Sequence, residues 1–375
     1  RKLETLGKPV VAAMNGTALG GGYELCLASH RRIVLDDASI RIGLPEVTLG
    51  LLPGGGACVR LPRLLGLEKA FPYLMEGKQV DPQTALKEGM VDELASSQEE
   101  LLQRARDWIK ANPQSKQPWD QKGFKIPGGG PSHPAMAQRL SIAPAMLKEK
   151  TKGCYPAPER IMAAAVEGAN VDVDTADRIE ARYFTEITCS QVAKNMINTF
   201  WFGLNAIKAG GSRPSAPERS KVTKVGILGA GMMGAGIAYV SANRGIDVVL
   251  KDVSTENAEK GKAYSDKLLA KNVSRGKLDE AGKQTVLDRI RATDSADDLA
   301  GCDLIIEAVF EDSDLKAKVT QEAEPRLADN GIFASNTSTI PITQLAKASA
   351  TPEKFIGLHF FSPVDKMPLV EIIKG

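Results

Sequence analysis

The chain has 375 residues, of which 43% are hydrophobic and 25% charged, and a formal net charge of +2. This length exceeds one ordinary core and favours two domains, in the composition range of a globular protein. The near-neutral charge gives no reason to expect binding to nucleic acid or to a membrane surface, so any phosphate-bearing ligand must be held by local groups. The cysteines (Cys26, Cys58, Cys154, Cys189 and Cys302) are far apart and lack metal-type spacing. They are expected to be free thiols of a reducing cytoplasm, with no metal site. No run of about 18 apolar residues is present, so no membrane span is expected. The chain opens Arg1-Lys2-Leu3 without Met, so its true start is expected to lie upstream and targeting is not legible.

In chain order, residues 9–14 (PVVAAM) read as a short buried strand ended by Asn15-Gly16. The glycine-rich stretch Ala18 to Gly22 leads into a helix expected from Tyr23 to about Ser29. Strands are expected over 32–35 and 39–42, and helices over 62–74, 82–88 and 98–110. The Pro/Gly cluster within 112–134 (KIPGGGPSHP) predicts a surface loop. From 174 to about 208 the pattern is helical, with apolar residues Ile179, Tyr183, Ile187, Val192 and Met196. The segment 210–221 (GGSRPSAPERSK) reads as a linker. After it, strands and helices alternate to the end, as in a doubly wound parallel sheet.

Lys224 to Leu228 reads as a strand buried on both faces, running into Gly229-Ala230-Gly231-Met232-Met233-Gly234 and then a helix. A second strand follows over 246–250, with Asp252 at its end. This is the GxGxxG pattern in its full strand–turn–helix context. Gly229 permits the tight turn, Gly231 lets the backbone approach a pyrophosphate, and Gly234 lets the helix pack closely on the strand. The helix N-terminus offers unpaired N–H groups to phosphate, while Asp252 suits ribose hydroxyls and repels a 2′-phosphate. NAD is therefore expected rather than NADP. Later strands, expected over 304–310, 331–334 and 355–358, bring Glu311, Asn336, Ser338 and His359 to their carboxyl ends, where ligands sit in such sheets. Imidazole titrates near working pH, so His359 is a candidate base for a hydroxyl proton during hydride removal, with Glu371 as its partner.

GAGMMG, EAVFED, SNTSTIP, GLHFFSP and PLVEIIKG together resemble the NAD-binding domain of 3-hydroxyacyl-CoA dehydrogenases. The resemblance makes His359 the catalytic base, Glu371 its dyad partner and Ser338 a contact of the substrate hydroxyl. It also places Gly229, Gly231, Met233, Gly234, Asp252, Val309, Phe310, Glu311, Lys316, Asn336 and Ser362 around NAD. One departure stands out: the family usually has Asn after the two phenylalanines, where this chain has Ser362. The charged stretch between Asp252 and Asp303 resembles the family's helical arm over the acyl-CoA.

In the N-terminal half, ALGGGYE (18–24) sets three glycines at a helix start, where bare N–H groups suit a developing oxyanion. Glu24 sits on the first turn, and Glu46 precedes a second glycine-rich loop, Gly54-Gly55-Gly56. Spacing alone does not bring the two carboxylates together. KPVVAAMNGTALGGGYEL and LPEVTLGLLPGGGACVRLPRLLG, however, resemble the crotonase (enoyl-CoA hydratase/isomerase) family. The resemblance makes Gly21 an oxyanion donor, and Glu24 and Glu46 the pair that adds water across a double bond. Both glutamates are present, which favours hydration over isomerisation alone.

The implied fold class is α/β. A crotonase-like (ClpP/crotonase) spiral segment over 1–173 leads through a linker helix and linker over 174–221 to a Rossmann NAD-binding domain over 222–375. This order resembles the multifunctional α-subunits of bacterial fatty-acid oxidation complexes and their peroxisomal and mitochondrial relatives. It implies acyl-CoA thioester substrates and a thiolase β-subunit partner. The second oxyanion donor and the dehydrogenase's C-terminal helical domain are expected to lie outside these residues, so that the segment is incomplete for both reactions. A rival expectation is that only the dehydrogenase works and the crotonase-like half serves assembly. Glu24 and Glu46 argue against it.

Overall fold

The computed structural model describes residues 1–211, 213–214 and 220–375, so half of the expected linker at 210–221 lies outside the described residues. The chain divides into two compact units, residues 1–215 and 216–375.

In the first unit, strands β1 (Val11–Met14), β2 (Ala18–Leu19), β3 (Arg31–Leu35), β4 (Ile42–Gly43), β5 (Gln79–Val80) and β6 (Glu93–Ala95) form two small sheets, ordered β1-β3-β6 and β2-β4-β5. Between β2 and β3 runs the helix Gly21–Leu27, which starts two residues before Tyr23 because Gly20 takes φ +55 and serves as its N-cap. Tyr23 and Leu27 are fully buried and the Tyr23 hydroxyl donates to the Met90 carbonyl at 2.7 Å, which fixes this helix in the core. Each such buried side chain contributes about 1.5–3 kcal/mol.

Several expected elements differ. The helix expected over 62–74 is two helices, Ala57–Leu65 and Leu67–Met75. Gly66 parts them at φ +88, where a Cβ would lie 2.3 Å from the Pro127 carbonyl oxygen. The strand expected over 39–42 shrinks to the bridge at 42–43. The loop at 112–134 is not purely a surface feature, since Trp119 is buried and donates to Glu4 Oε1 at 3.1 Å. Two unforeseen helices follow it, Pro134–Thr151 and Pro156–Gly168, each opened by Pro at its first position. The long helix expected over 174–208 is broken: Val173–Thr188 ends at Cys189, and Ser190 caps Gln191–Met196. A π-helical turn, Ile197–Gly203, then leads to Leu204–Lys208.

The second unit holds, among the described residues, a seven-stranded sheet of β7 (Lys224–Leu228), β8 (Asp247–Lys251), β9 (Ile290–Thr293), β10 (Cys302–Glu307), β11 (Leu327–Ser335), β12 (Phe355–Phe360) and β13 (Val370–Ile373). Its order is β13-β12-β11-β10-β7-β8-β9, parallel throughout except for the antiparallel β13. Alternate residues feed two cores: Val225, Ile227, Val248 and Leu250 enter one, Leu228, Val249, Ile305 and Phe333 the other. That is why the strands read as unbroken apolar runs. The charged stretch after Asp252 forms the helices Thr255–Ser274 and Glu280–Asp288. Strand β10 stops at Glu307, short of the expected Phe310, and β12 runs through His359 to Phe360 rather than ending before it.

Candidate active sites

In the first unit the glycine loops serve the two carboxylates. Glu24, 6% exposed, directs Oε1 at two backbone donors, Gly55 N–H at 2.8 Å and Ala57 N–H at 3.0 Å. A Cβ on Gly55 would come within 2.6 Å of Glu24 Oε2, so the carboxylate approaches this close only because residue 55 is Gly. Glu46 lies in the first turn of the 3₁₀ segment Pro45–Leu49. Its Oε1 would be 2.7 Å from a Cβ on Gly20, the cap of the Gly21–Leu27 helix. Glu46 Oε2 is buried and has no hydrogen-bond partner among the described residues. Gly21 opens that helix with no described atom near its Cβ position, leaving a gap beside its first N–H groups.

The two carboxyls differ electrostatically. Burial pushes Glu46 up to about 7 against the single backbone N–H of its own residue, and the charge of Glu24 adds to the rise. Glu24 is also raised by burial, but the Ala57 and Gly55 N–H groups favour its charged form and work against the rise. The site thus tends to hold one proton, with Glu46 the better-placed acid.

In the second unit, a cavity of about 690 Å³ opens at the carboxyl ends of β7 and β10, where the sheet order reverses. Gly229, Gly231, Met233, Asp252, Val309 and Phe310 line it. Gly229 has φ +94, and a Cβ there would meet the Ala308 carbonyl oxygen at 2.7 Å. Gly234 lies beneath, its Cβ position 1.8 Å from the Gly229 carbonyl oxygen, so helix Met232–Ala242 packs directly on the turn. Gly231 has open space instead, and no side chain caps the helix start. Asp252 Oδ2 accepts the Ala230 N–H at 2.6 Å, which pins the acid beside the turn. Open backbone donors for a pyrophosphate and a fixed carboxylate for a ribose are what a dinucleotide requires. The residues therefore fit NAD.

Beyond that cavity wall lies a second cluster. His359 on β12 stands opposite Glu371 on β13, with Nδ1 2.8 Å from Glu371 Oε2. Its Nε2 is 3.4 Å from the Ser338 hydroxyl. Ser338 is held from behind: Glu311 Oε1 accepts the Ser338 N–H at 2.9 Å, the Thr339 N–H at 3.0 Å and the Thr337 hydroxyl at 2.6 Å. Burial opposes a charge on Glu311, but these donors and Lys316 bring it down to about 2. Lys316 is 2% exposed and pairs with Glu307 at 2.8 Å and Glu311 at 3.2 Å, away from the cavity wall. Asn336 is likewise engaged, its Oδ1 accepting the Phe360 N–H at 2.8 Å. Ser362 places its hydroxyl 3.7 Å from Met232 Sδ at the start of the phosphate-loop helix.

Two organising carboxylates escaped the sequence reading. Glu307 ends β10 and accepts from Lys316, Ser335 and the Val309 N–H. Glu180 accepts the Gly56 N–H at 2.7 Å and the Cys58 N–H at 2.9 Å, next to the donors of Glu24. A signal for Glu180 exists: Val173, Ala176, Glu180 and Ile187 form the buried stripe of their helix, so a charge falls at a core position.

Known proteins carry the same two parts. Residues 1–118 match enoyl-CoA hydratase/isomerase, and residues 224–375 match the 3-hydroxyacyl-CoA dehydrogenase NAD binding domain. The fatty acid oxidation complex subunit alpha of Shewanella loihica is 39% identical over 99% of this chain and 52% of its own length. That of Shewanella baltica is also 39% identical, with the same coverage. Among solved structures, the (S)-3-hydroxybutyryl-CoA dehydrogenase of Ralstonia eutropha is 44% identical over 41% of this chain and 55% of that one, with a TM-score of 0.40. The chain spans about half the length of the curated relatives it matches. No helix among the described residues is long and apolar enough to cross a membrane. The chain is thus a homologue of fatty acid oxidation complex α subunits over about half of their length, with an enoyl-CoA hydratase/isomerase segment followed by a 3-hydroxyacyl-CoA dehydrogenase NAD-binding Rossmann domain.

Proposed function

We propose that this chain carries two consecutive steps of fatty-acid β-oxidation: hydration of a 2-enoyl-CoA to a 3-hydroxyacyl-CoA, and NAD-dependent oxidation of that product to a 3-ketoacyl-CoA. The observation that supports it is the presence in one chain of a shielded carboxyl pair and a His–Glu dyad, since the product of the first chemistry is the substrate of the second.

In hydration, Glu24 acts as base, because two backbone N–H groups favour its charged form. It takes a proton from water as the oxygen bonds to C3, while Glu46, its proton retained by burial, delivers that proton to C2. The Gly21 N–H donates to the thioester oxygen as negative charge builds there. In oxidation, the Glu371 carboxylate accepts the His359 Nδ1–H, which leaves Nε2 free to take the proton of the C3 hydroxyl. Ser338, 3.4 Å from Nε2, hydrogen-bonds the same hydroxyl. NAD, when bound, supplies the acceptor for the C3 hydride. Gly229, Gly231, Met233 and Asp252 would hold its phosphates and ribose, with Gly234 supporting the turn and Val309 and Phe310 lining the cavity. Lys316 and Asn336 act from outside the cavity, Lys316 by pairing with Glu311, which holds Ser338, and Asn336 by accepting the Phe360 N–H beside His359. Ser362 meets Met232 at the helix start. A 3-ketoacyl-CoA is a thiolase substrate, and the relatives are α subunits of a complex, so a thiolase partner belongs to the proposal.

The test is incubation with a 2-enoyl-CoA and NAD, following loss of the enoyl absorbance and appearance of NADH. Loss of enoyl absorbance followed by NADH supports both steps. NADH from added 3-hydroxyacyl-CoA without any hydration would leave the first unit an assembly module, and neither signal would overturn the reading.

A further inference from the structure

Helix Ala57–Leu65 begins after Gly56, at φ +106, with no side chain of its own to cap it. Its donors are taken by two carboxylates from distant parts of the chain. Glu24 accepts from Gly55 N–H and Ala57 N–H, and Glu180 from Gly56 N–H and Cys58 N–H. The bonds alternate along four consecutive residues, so the backbone turn cannot shift at one carboxylate without shifting at the other. Glu180 is 2% exposed. The neighbouring cation, Arg60, bonds Glu4, Asp177 and the Gly56 carbonyl rather than Glu180.

We propose that Glu180 is a positioning residue for the carboxyl pair: it fixes the turn whose N–H groups hold the Glu24 carboxylate. This rests on the hydratase reading of Glu24 and deepens it. Titratable groups face Glu180 from each element packed on it: Glu24 from helix Gly21–Leu27, Cys58 and Arg60 from helix Ala57–Leu65, and Asp177 on its own helix. Burial pushes Glu180 up to about 8, with the charge of Glu24 the next cause. The Glu24 carboxylate therefore forms while Glu180 is still protonated, and its charge delays the ionisation of Glu180.

The test is a carbon-13 carboxyl titration of Glu24, with amide exchange at Gly55 and Ala57, in the 375-residue chain and its Glu180→Gln variant. Gln keeps one acceptor but loses the charge and the second acceptor. The Glu24 midpoint should rise by on the order of one unit in Glu180→Gln, because a loosened turn offers the Glu24 carboxylate poorer N–H donors. Exchange at Gly55 and Ala57 should quicken by about tenfold, because the turn loses one of the two Glu180 oxygens that accept from it. An unmoved midpoint with unchanged exchange overturns the proposal. If Glu180→Gln does not fold, the unaltered chain decides. The Gly55 and Ala57 amides bond Glu24 and not Glu180, so an inflection in their shifts at the Glu180 midpoint supports the link and its absence refutes it. Where the chain hydrates enoyl-CoA, kcat of Glu180→Gln should drop by roughly tenfold or more, with KM little changed and the acidic pH limb, set by the Glu24 base, moved up. A drop without movement of that limb marks a merely structural role and overturns the proposal. A chain that hydrates nothing but shows the linked titrations defeats the hydratase reading and leaves the linkage standing.

Discussion

Glu371 lies directly across the β12–β13 pair from His359, with its Oε2 2.8 Å from Nδ1, while Ser338 meets the other ring nitrogen at 3.4 Å. A carboxylate on Nδ1 fixes the tautomer with a free Nε2 and stabilises the imidazolium that follows proton uptake. His359→Gln should therefore lower oxidation of 3-hydroxyacyl-CoA by about 10²–10⁴-fold, the usual loss for an acid–base group, with NAD affinity by calorimetry retained. Glu371→Gln should lose less, since Gln still accepts the ring N–H. Full activity in both variants would remove the dyad from the reaction.

Gly234 and Gly229 make the closest approach in the phosphate turn, with the Cβ position of one 1.8 Å from the carbonyl oxygen of the other. Even Gly234→Ala forces helix and strand apart, at a cost of about 1–3 kcal/mol for overpacking. The variant should melt at lower temperature and bind NAD poorly. An unchanged melting curve with unchanged NAD affinity would contradict the packing.

Asp252 is held by the Ala230 N–H through Oδ2 and by the Val253 N–H through Oδ1, at the edge of the cofactor cavity. Its charge has nowhere to turn from a 2′-phosphate, so NAD should bind more tightly than NADP. Asp252→Asn should narrow that preference and weaken NAD by roughly tenfold or more, the worth of a charge-assisted hydrogen bond. Equal affinities of the unaltered chain for the two cofactors, by calorimetry, would be the contrary result.

The second unit is legible because its signals are local. The strand, turn, helix and acid fall within residues 224–252 and each dictates its own geometry, so Gly229, Gly231 and Asp252 meet at one cavity as their order implies. The first unit is less legible because its determinants are distant in sequence. Helix Ala57–Leu65 starts where Glu24 and Glu180 supply the cap, and no local pattern marks that start. The break at Gly66 depends on the approach of Pro127. Glu24 and Glu46 are brought together by glycines whose missing side chains make room for carboxylates, a relation that spacing alone does not express. Lys316 shows the same limit: its place near a ligand-bearing strand end is legible, its burial between Glu307 and Glu311 is not.

Glu46 links stability and hydration through one proton. Burial raises its carboxyl from an ordinary 4.5 to about 7, with Glu24 adding to the rise. Between those values the folded chain holds a proton that the unfolded chain has lost, so unfolding releases it. The contribution to stability is therefore full below about 4.5, falls as pH rises through the window, and is gone above about 7. Glu46→Gln carries no such proton, so its melting temperature relative to the unaltered chain should climb from pH 5 to pH 7 and then level off. Hydration should follow the same proton. In the unaltered chain it should decline as pH passes about 7 and the acid form of Glu46 is lost. In Glu46→Gln it should be lower by about 10²–10⁴-fold throughout, while oxidation of added 3-hydroxyacyl-CoA by the His359 site stays near its original rate. Melting curves that run parallel across this range would place the Glu46 proton elsewhere, and loss of oxidation together with hydration would mean that the two chemistries are not separate.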